Sequence, residues 1–381
     1  MTKILILTIR PLHNGPRIIR EINALNSNCE IVTVGLTKPQ IDGVGFHDIT
    51  KVRYSIIDRF IRKLYRYIFR GQIPKFDLPI MRRYVGKMIK YENPAVVIVH
   101  DPEFLPQLSG LKRTYGFKLV YNAHEYHPLQ FDSIDYWLKT AGKYYYWIYK
   151  EFLDNVDLMI NVCEGIANKC KQEFGKDSIV IPNACTYYEH IEPVINTKND
   201  RIHIIHHGNA IRARKIEYMI EAVKKLGERF SLDLILVPRD ANYIAELRAK
   251  AKSAKNINFL EPVRFDEIVP LLNNYDVGLF NLPPYTFNYK YALPNKIFEF
   301  IQARLCLVIS NSTEMKKVVE EHKLGLVSNG HSVEDLVDCL DQLDKVKIEE
   351  YKKNADNAAK SLSAENYYTL YQNEIYALLK K

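Results

Sequence analysis

Apolar residues fall along this chain in short runs of four to six, separated by longer stretches in which they recur every three or four positions. A short run bounded by turn residues suits a strand buried on both faces, and the 3.6-residue recurrence suits a helix crossing over to the next strand. In the first half the runs predict strands at Ile4–Thr8, Glu30–Val34, Ala95–Val99, Lys118–Tyr121, Asp157–Asn161 and Ser178–Ile181. A polar stretch without periodicity, Glu192–Asn199, then interrupts the pattern. It restarts with Arg201–His206, Leu232–Val237, Ile257–Leu260, Val277–Phe280, Leu305–Ile309 and Leu324–Val327, with helices such as Lys215–Phe230 between them. Strands alternating with helices predict parallel sheets. The expectation is an α/β protein of two Rossmann-like domains, residues 1–185 and 201–363, joined by a linker at 186–200. Ligands of such sheets bind at strand carboxyl ends, so a site in an interdomain cleft is expected. Tyr367, Leu370, Tyr371, Ile375 and Leu378 lie at helical spacing, predicting a last helix over 364–381 that returns toward the first domain.

Length agrees with two domains, since 381 residues exceed what one hydrophobic core usually serves. With 47% hydrophobic and 26% charged residues, collagen-like, low-complexity and disordered classes are excluded. Six cysteines without a C-x-x-C pair read as buried thiols of a reducing compartment. The apolar start Ile4–Ile9 is cut by Arg10-Pro11, and no run reaches the roughly 18 apolar residues of a membrane span, so a cytoplasmic address is expected.

The net charge of +8 is unevenly spread. Lys51–Lys90 holds twelve basic and two acidic residues, a local +10. Within it Ile57, Ile61, Leu64 and Ile68 form one helical stripe, and Arg59, Lys63, Arg66 and Arg70 form another about 200° around. Interleaved aromatics fit the interface of an anionic membrane on the inner face of the cell. An ordinary helix packing its apolar stripe on its own domain fits equally. Nucleic acid is set aside, because no RNP, zinc-finger or helix-turn-helix pattern accompanies the charge.

Several chemistries lack their motif. The first strand is followed by a loop with one glycine, Gly15, so the G-x-G-x-x-G of a hydride-transferring dehydrogenase is missing. No P-loop and no Asp-x-Asp occur, which removes the simplest carboxylate pair for a divalent cation on a diphosphate. What stands out is Pro294-Asn295-Lys296-Ile297-Phe298-Glu299, after the loop that leaves Val277–Phe280. Proline at a helix start places amide N–H groups and the positive dipole end where phosphate binds. Lys296 and Glu299 then share one helix face, a cation for a diphosphate and a carboxylate for sugar hydroxyls. A capped surface helix with an i, i+3 ion pair fits the same spacing.

Leu293-Pro-Asn-Lys-Ile-Phe-Glu-Phe-Ile-Gln-Ala-Arg-Leu-Cys-Leu-Val-Ile-Ser310 resembles the P-x-K-x-x-E segment of bacterial family 4-type glycosyltransferases of the GT-B fold. Gly15–Glu21, His100–Pro106, Tyr121–Pro128, Ile181–Asn183 and Phe259–Val263 resemble the same family in the same order. The resemblance implies that Glu299 binds the donor ribose, that Lys296 with Arg214, or Arg212 in its place, faces the donor diphosphate after Gly208, and that Pro262, Val263 and Asn295 complete the donor site. It implies that His124, Asp101 and Glu125, at strand carboxyl ends, contact the transferred sugar and acceptor, with Gly15 and Arg17 on the acceptor side and the general base open. No metal or other cofactor is expected. Two departures stand out: the second glutamate eight positions before the ribose-binding one is Tyr291, and the glycine after the helix is Arg304.

The expected activity is transfer of a sugar from a nucleotide sugar, with UDP favoured, to a glycan or polyprenyl-diphosphate-linked acceptor in bacterial surface polysaccharide synthesis, with retained configuration. A GT-B nucleotide-sugar epimerase and a non-catalytic, membrane-associated glycan-binding protein are the alternatives.

Overall fold

The computed structural model describes residues 1–12, 15–51, 56–57, 60, 79–195 and 201–380. It divides into two compact units. Residues 1–182, 286–288 and 368–381 form the first, and residues 183–285 and 289–367 the second. Most of the basic segment, including the expected helix through Ile61, Leu64 and Ile68 and the basic residues Arg59, Arg62, Lys63, Arg66 and Arg70, lies outside the described residues, as does 196–200 of the linker.

The first unit is built on a seven-stranded parallel sheet: β1 (Thr2–Leu7), β2 (Cys29–Gly35), β3 (Gly45–Asp48), β4 (Val96–Val99), β5 (Lys118–Asn122), β6 (Leu158–Asn161) and β7 (Ile179–Val180). Their order is β3-β2-β1-β4-β5-β6-β7, so the chain reverses direction across the sheet between β1 and β4. Every side chain of β4 is fully buried, as a strand covered on both faces requires. Helix α1 (Pro16–Asn26) connects β1 to β2 and buries Ile18, Ile22 and Leu25. Helix α2 (Pro79–Glu92) buries Met81, Val85 and Ile89 on one stripe and exposes Arg82, Arg83, Lys87 and Lys90. In this part of the basic segment, then, the apolar stripe packs on the protein's own core. Helices α3 (Leu105–Tyr115), α4 (Lys143–Phe152) and α5 (Glu164–Phe174) complete the crossovers.

The second unit repeats the plan with six parallel strands, β8 (Ile202–Ala210), β9 (Phe230–Pro238), β10 (Ile257–Leu260), β11 (Val277–Phe280), β12 (Cys306–Ile309) and β13 (Gly325–Val327), ordered β10-β9-β8-β11-β12-β13. One face is covered by α6 (Ile216–Leu226) and α7 (Ala241–Ala251), whose Met219, Ile220, Val223 and Leu247 pack onto Leu232 and Leu234. On the other, α8 (Asn295–Gln302) packs Ile297, Phe298, Phe300 and Ile301 with Leu307 and Ile309. Gly278 of β11 makes that close approach possible, because a Cβ there would stand 2.5 Å from the Phe300 ring. The last helix, α9 (Ala364–Leu379), supplies its first four residues to the second unit and the rest to the first. All six cysteines are free and buried.

Candidate active site

In the second unit the strand order reverses between β8 and β11, where a doubly wound sheet opens its crevice. Gly208 lies near the carboxyl end of β8 with φ +120°, a conformation side chains other than glycine's rarely adopt. A Cβ at this point would stand 2.4 Å from Lys296 Nζ and 3.8 Å from Arg214 Nη1. Glycine is thus what admits the ammonium, and two cations flank it. Lys296 is the second residue of α8, after Pro294 turns the chain into the helix, and only 9% of it is exposed. Its ammonium sits 5.4 Å from the Phe280 ring centre, and no carboxylate lies within ion-pair distance among the described residues. Burial, seconded by Arg214, lowers its pKa to about 7 against the pull of Glu299. Arg214 donates from Nη1 to Asn209 O at 3.2 Å, and burial lowers its pKa too.

Glu299, one turn along α8, is buried with Oε2 3.3 Å from His207 Nε2. Burial and the Lys296 charge hold His207 neutral. The same causes bring His206 down to about 3, so its Nδ1–H donates to Leu279 O at 2.9 Å while its ring stacks on Phe280. Sequence reasoning passed over both histidines. Their signal was two polar residues in succession after the apolar Ile204-Ile205 of the strand. Asn295 is half-buried at the start of α8. Past β10, Val263 is half-buried, and the exposed Pro262 borders a solvent-open groove of about 410 Å³ with Leu236, Arg248 and Glu261.

Arg212 does not stand in for Arg214. Its guanidinium bonds both oxygens of Glu246 at 2.7 Å and Asp240 at 2.9 Å, and lies over the Tyr243 ring. Two carboxylates, one at the N-cap of α7 and one six residues on, outcompete solvent for it, and the charge is neutralised on the α7 side.

In the first unit the order reverses between β1 and β4, and β4 ends in His100-Asp101. Asp101 is almost fully buried, and its Oδ2 accepts from Thr8 Oγ1 at 2.9 Å and Ile9 N at 2.8 Å, fastening the loop after β1, while Oδ1 lies 3.7 Å from Arg10 Nε. Arg17, expected on the acceptor side, is 4% exposed inside α1 and bonds Asn122 Oδ1 at 2.5 Å. It is a core cation, because α1 turns that face inward. Gly15 is the residue before α1, and its carbonyl accepts from Ile19 N.

His124, just past β5, is half-buried, with Nε2 2.9 Å from His100 Nδ1. Burial, then the Arg17 charge, push its pKa well down, so the ring is neutral. Glu125 is half-buried and its pKa raised by burial. Glu103, which sequence reasoning did not single out, is raised to about 7 by burial and by Asp101 while accepting from Tyr145 Oη at 2.7 Å. His127 is buried against Tyr121 and Tyr149, and packs.

The family model described as Glycosyltransferase Family 4 matches residues 18–185, and that described as Glycosyl transferases group 1 matches residues 201–345. The chain is a family 4-type glycosyltransferase. No curated protein matches it in sequence. In structure this glycosyltransferase is similar to sucrose-phosphate synthase from Thermosynechococcus elongatus, at 12% identity and TM-score 0.77 over 100% of this chain and 99% of that one. It is also similar to HepE from Anabaena in complex with UDP and glucose, at 12% identity and TM-score 0.70 over 99% and 100%. A TarM variant from S. aureus in complex with fondaparinux, α-GlcNAc-glycerol and UDP gives 12% and 0.69 over the full length of both. These likenesses establish the GT-B fold for the glycosyltransferase. Its two departures have structural counterparts. Tyr291 is half-buried with Lys290 over its ring. Arg304 keeps a left-handed φ of +56° and is tied down by Asp356, Gln302 and Tyr188.

Proposed function

We propose that this glycosyltransferase moves a sugar from a UDP-sugar to a glycan or polyprenyl-diphosphate-linked acceptor in surface polysaccharide synthesis, with retention and without a metal. The observation that carries the reading is the pair of cations at Gly208. Lys296 and Arg214 face one small space beside the first turn of α8, where backbone N–H groups also point outward. Positive charge fixed there stabilises the charge that develops on a departing nucleoside diphosphate, the role a divalent ion otherwise fills. Glu299, three residues on, is assigned to the ribose hydroxyls. The choice of UDP is supported by the UDP held in HepE and TarM. His124, a neutral ring at the end of β5, is assigned to a hydroxyl of the transferred sugar. Retention follows the family resemblance, as does the surface-polysaccharide role. Placement on an anionic membrane is supported by the +10 segment Lys51–Lys90.

A thermal-shift screen against UDP, GDP, CMP and their sugar conjugates, with and without EDTA, tests the donor site, because a ligand that binds the folded state raises the melting temperature. UDP should stabilise in the presence of EDTA, and Glu299→Ala and Lys296→Ala should each lose about tenfold or more in affinity. Stabilisation that EDTA abolishes would overturn metal independence. Anionic liposome binding that survives charge reversal at Arg62, Lys63 and Arg66 would remove the basic segment from the membrane contact.

A further inference from the structure

Helix α1 carries a charge on its apolar face. Glu21 falls among Ile18, Ile22 and Leu25 and is 0% exposed, a position that costs several kcal/mol unless its oxygens are bonded. Arg17, one turn earlier, settles how they are. Guanidinium only donates, so the Asn122 oxygen at 2.5 Å from Arg17 Nη2 is the amide oxygen, and the amide nitrogen is left to donate to Glu21 Oε1. Glu21 Oε2 then stands 3.1 Å from His100 Nε2, within ion-pair distance, and neither atom has a hydrogen-bond partner among the described residues. On the far side of the fully buried His100 ring, Nδ1 stands 2.9 Å from His124 Nε2.

We propose that Glu21 and His100 are positioning residues that fix the tautomer of His124, so that its Nδ1 meets the substrate as a bare hydrogen-bond acceptor. The logic is one of alternating polarity. With one proton on the His100 ring, the carboxylate oxygen 3.1 Å away holds it on Nε2, which leaves Nδ1 bare. A bare Nδ1 places the proton of His124 on Nε2, which leaves the other nitrogen of His124 bare. The hydrogen bond to the His124 ring among the described residues is at Nε2, so Nδ1 is the atom left to accept from a hydroxyl. The proposal rests on the glycosyltransfer reading above, in which that hydroxyl belongs to the transferred sugar. Glu21 lies two residue contacts away and acts on the sugar only through the two rings.

Glu21→Gln reverses the chain. Asn122 holds the amide oxygen at the Oε1 position, so the new amide nitrogen donates to His100 Nε2, and every proton in the relay moves to the other nitrogen. In ¹⁵N NMR of the full-length histidine-labelled protein, with His124 assigned by His124→Asn, Nδ1 should report bare in the wild type and protonated in Glu21→Gln. Turnover of UDP-sugar should fall about 10- to 100-fold with little change in KM, because a donor then confronts a donor. His100→Gln, whose amide oxygen and nitrogen reproduce one acceptor and one donor, should keep Nδ1 of His124 bare and retain most of the turnover that His100→Leu loses. This pair keeps the test open if Glu21→Gln does not fold. A protonated Nδ1 in the wild type, or a bare one in folded Glu21→Gln, would overturn the relay. The predicted NMR states in a protein that turns over no nucleotide sugar would leave the relay standing and overturn the glycosyltransfer assignment of His124.

Discussion

Lys296 combines nearly complete burial with a charge it is required to keep when a diphosphate arrives. Folded, its pKa is about 7, while the unfolded chain holds the proton to about 10.5. Between these values the unfolded state binds more protons, so this group's penalty is full below about pH 7 and is relieved as pH rises toward 10.5. The stability of the unliganded protein should therefore rise through that window, and Lys296→Met should flatten the rise; denaturant titrations at a series of pH values read both. Binding a diphosphate reverses the sign, since it favours the ammonium. Calorimetric titration of UDP at about pH 8, in buffers of different ionisation heat, should show uptake of up to about one proton, and affinity should fall by up to about tenfold per pH unit above that. Gly208→Ala places a methyl group 2.4 Å from Nζ at a φ of +120°. It should lower UDP affinity by about tenfold or more and cost roughly 1–2 kcal/mol of stability. Arg212→Ala should leave UDP affinity within about twofold, because its charge is already spent on Asp240 and Glu246.

At the scale of elements, α8 shows how a substitution that looks destructive is absorbed. Its last turn runs into Arg304, where a left-handed residue is needed and glycine is the usual solution. Here arginine accepts the strain and its guanidinium bonds Asp356 Oδ1 at 2.7 Å, Gln302 O at 2.6 Å and Tyr188 O at 3.0 Å. Arg304→Gly should relieve roughly 1 kcal/mol of backbone strain yet destabilise by about 2 kcal/mol or more, because buried acceptors lose their donors; a denaturant midpoint below wild type checks the sign. The twelve strands expected from apolar runs are all present, since a strand buried on both faces is written as a continuous run. The thirteenth, β3, was not expected, because Gly45-Phe-His-Asp48 is a half-buried edge with no run to read. The candidate site was legible where charge interrupts a pattern, as at Lys296 and Glu299. It was not where the deciding fact is which neighbour a long side chain finds. Arg212 and Arg214 are two residues apart and go to opposite partners. Glu21 was visible as a carboxylate on an apolar stripe, but its tie to His100, 79 positions away, depends on how α1 lies against β4.

The whole molecule is two sheets of one plan, and the chain does not finish one before starting the other. Residues 368–381 belong to the first unit, where Tyr371 and Ile375 are fully buried and Tyr368 Oη donates to Arg17 O at 3.2 Å. Ending the chain at Tyr367 removes three buried side chains, Tyr368, Tyr371 and Ile375, worth roughly 1.5–3 kcal/mol each. Limited proteolysis should then cut within residues 1–182 first, leaving 183–367 the more resistant. The same arrangement governs the order of events on a ribosome. The piece of the protein made first is finished by the piece made last. At about 5–20 residues per second, the 186 residues from 182 to 368 separate the two by roughly 10–40 s. The nascent first unit must persist for that interval with an incomplete wall, while the second unit, nearly contiguous in sequence, can close as soon as it emerges.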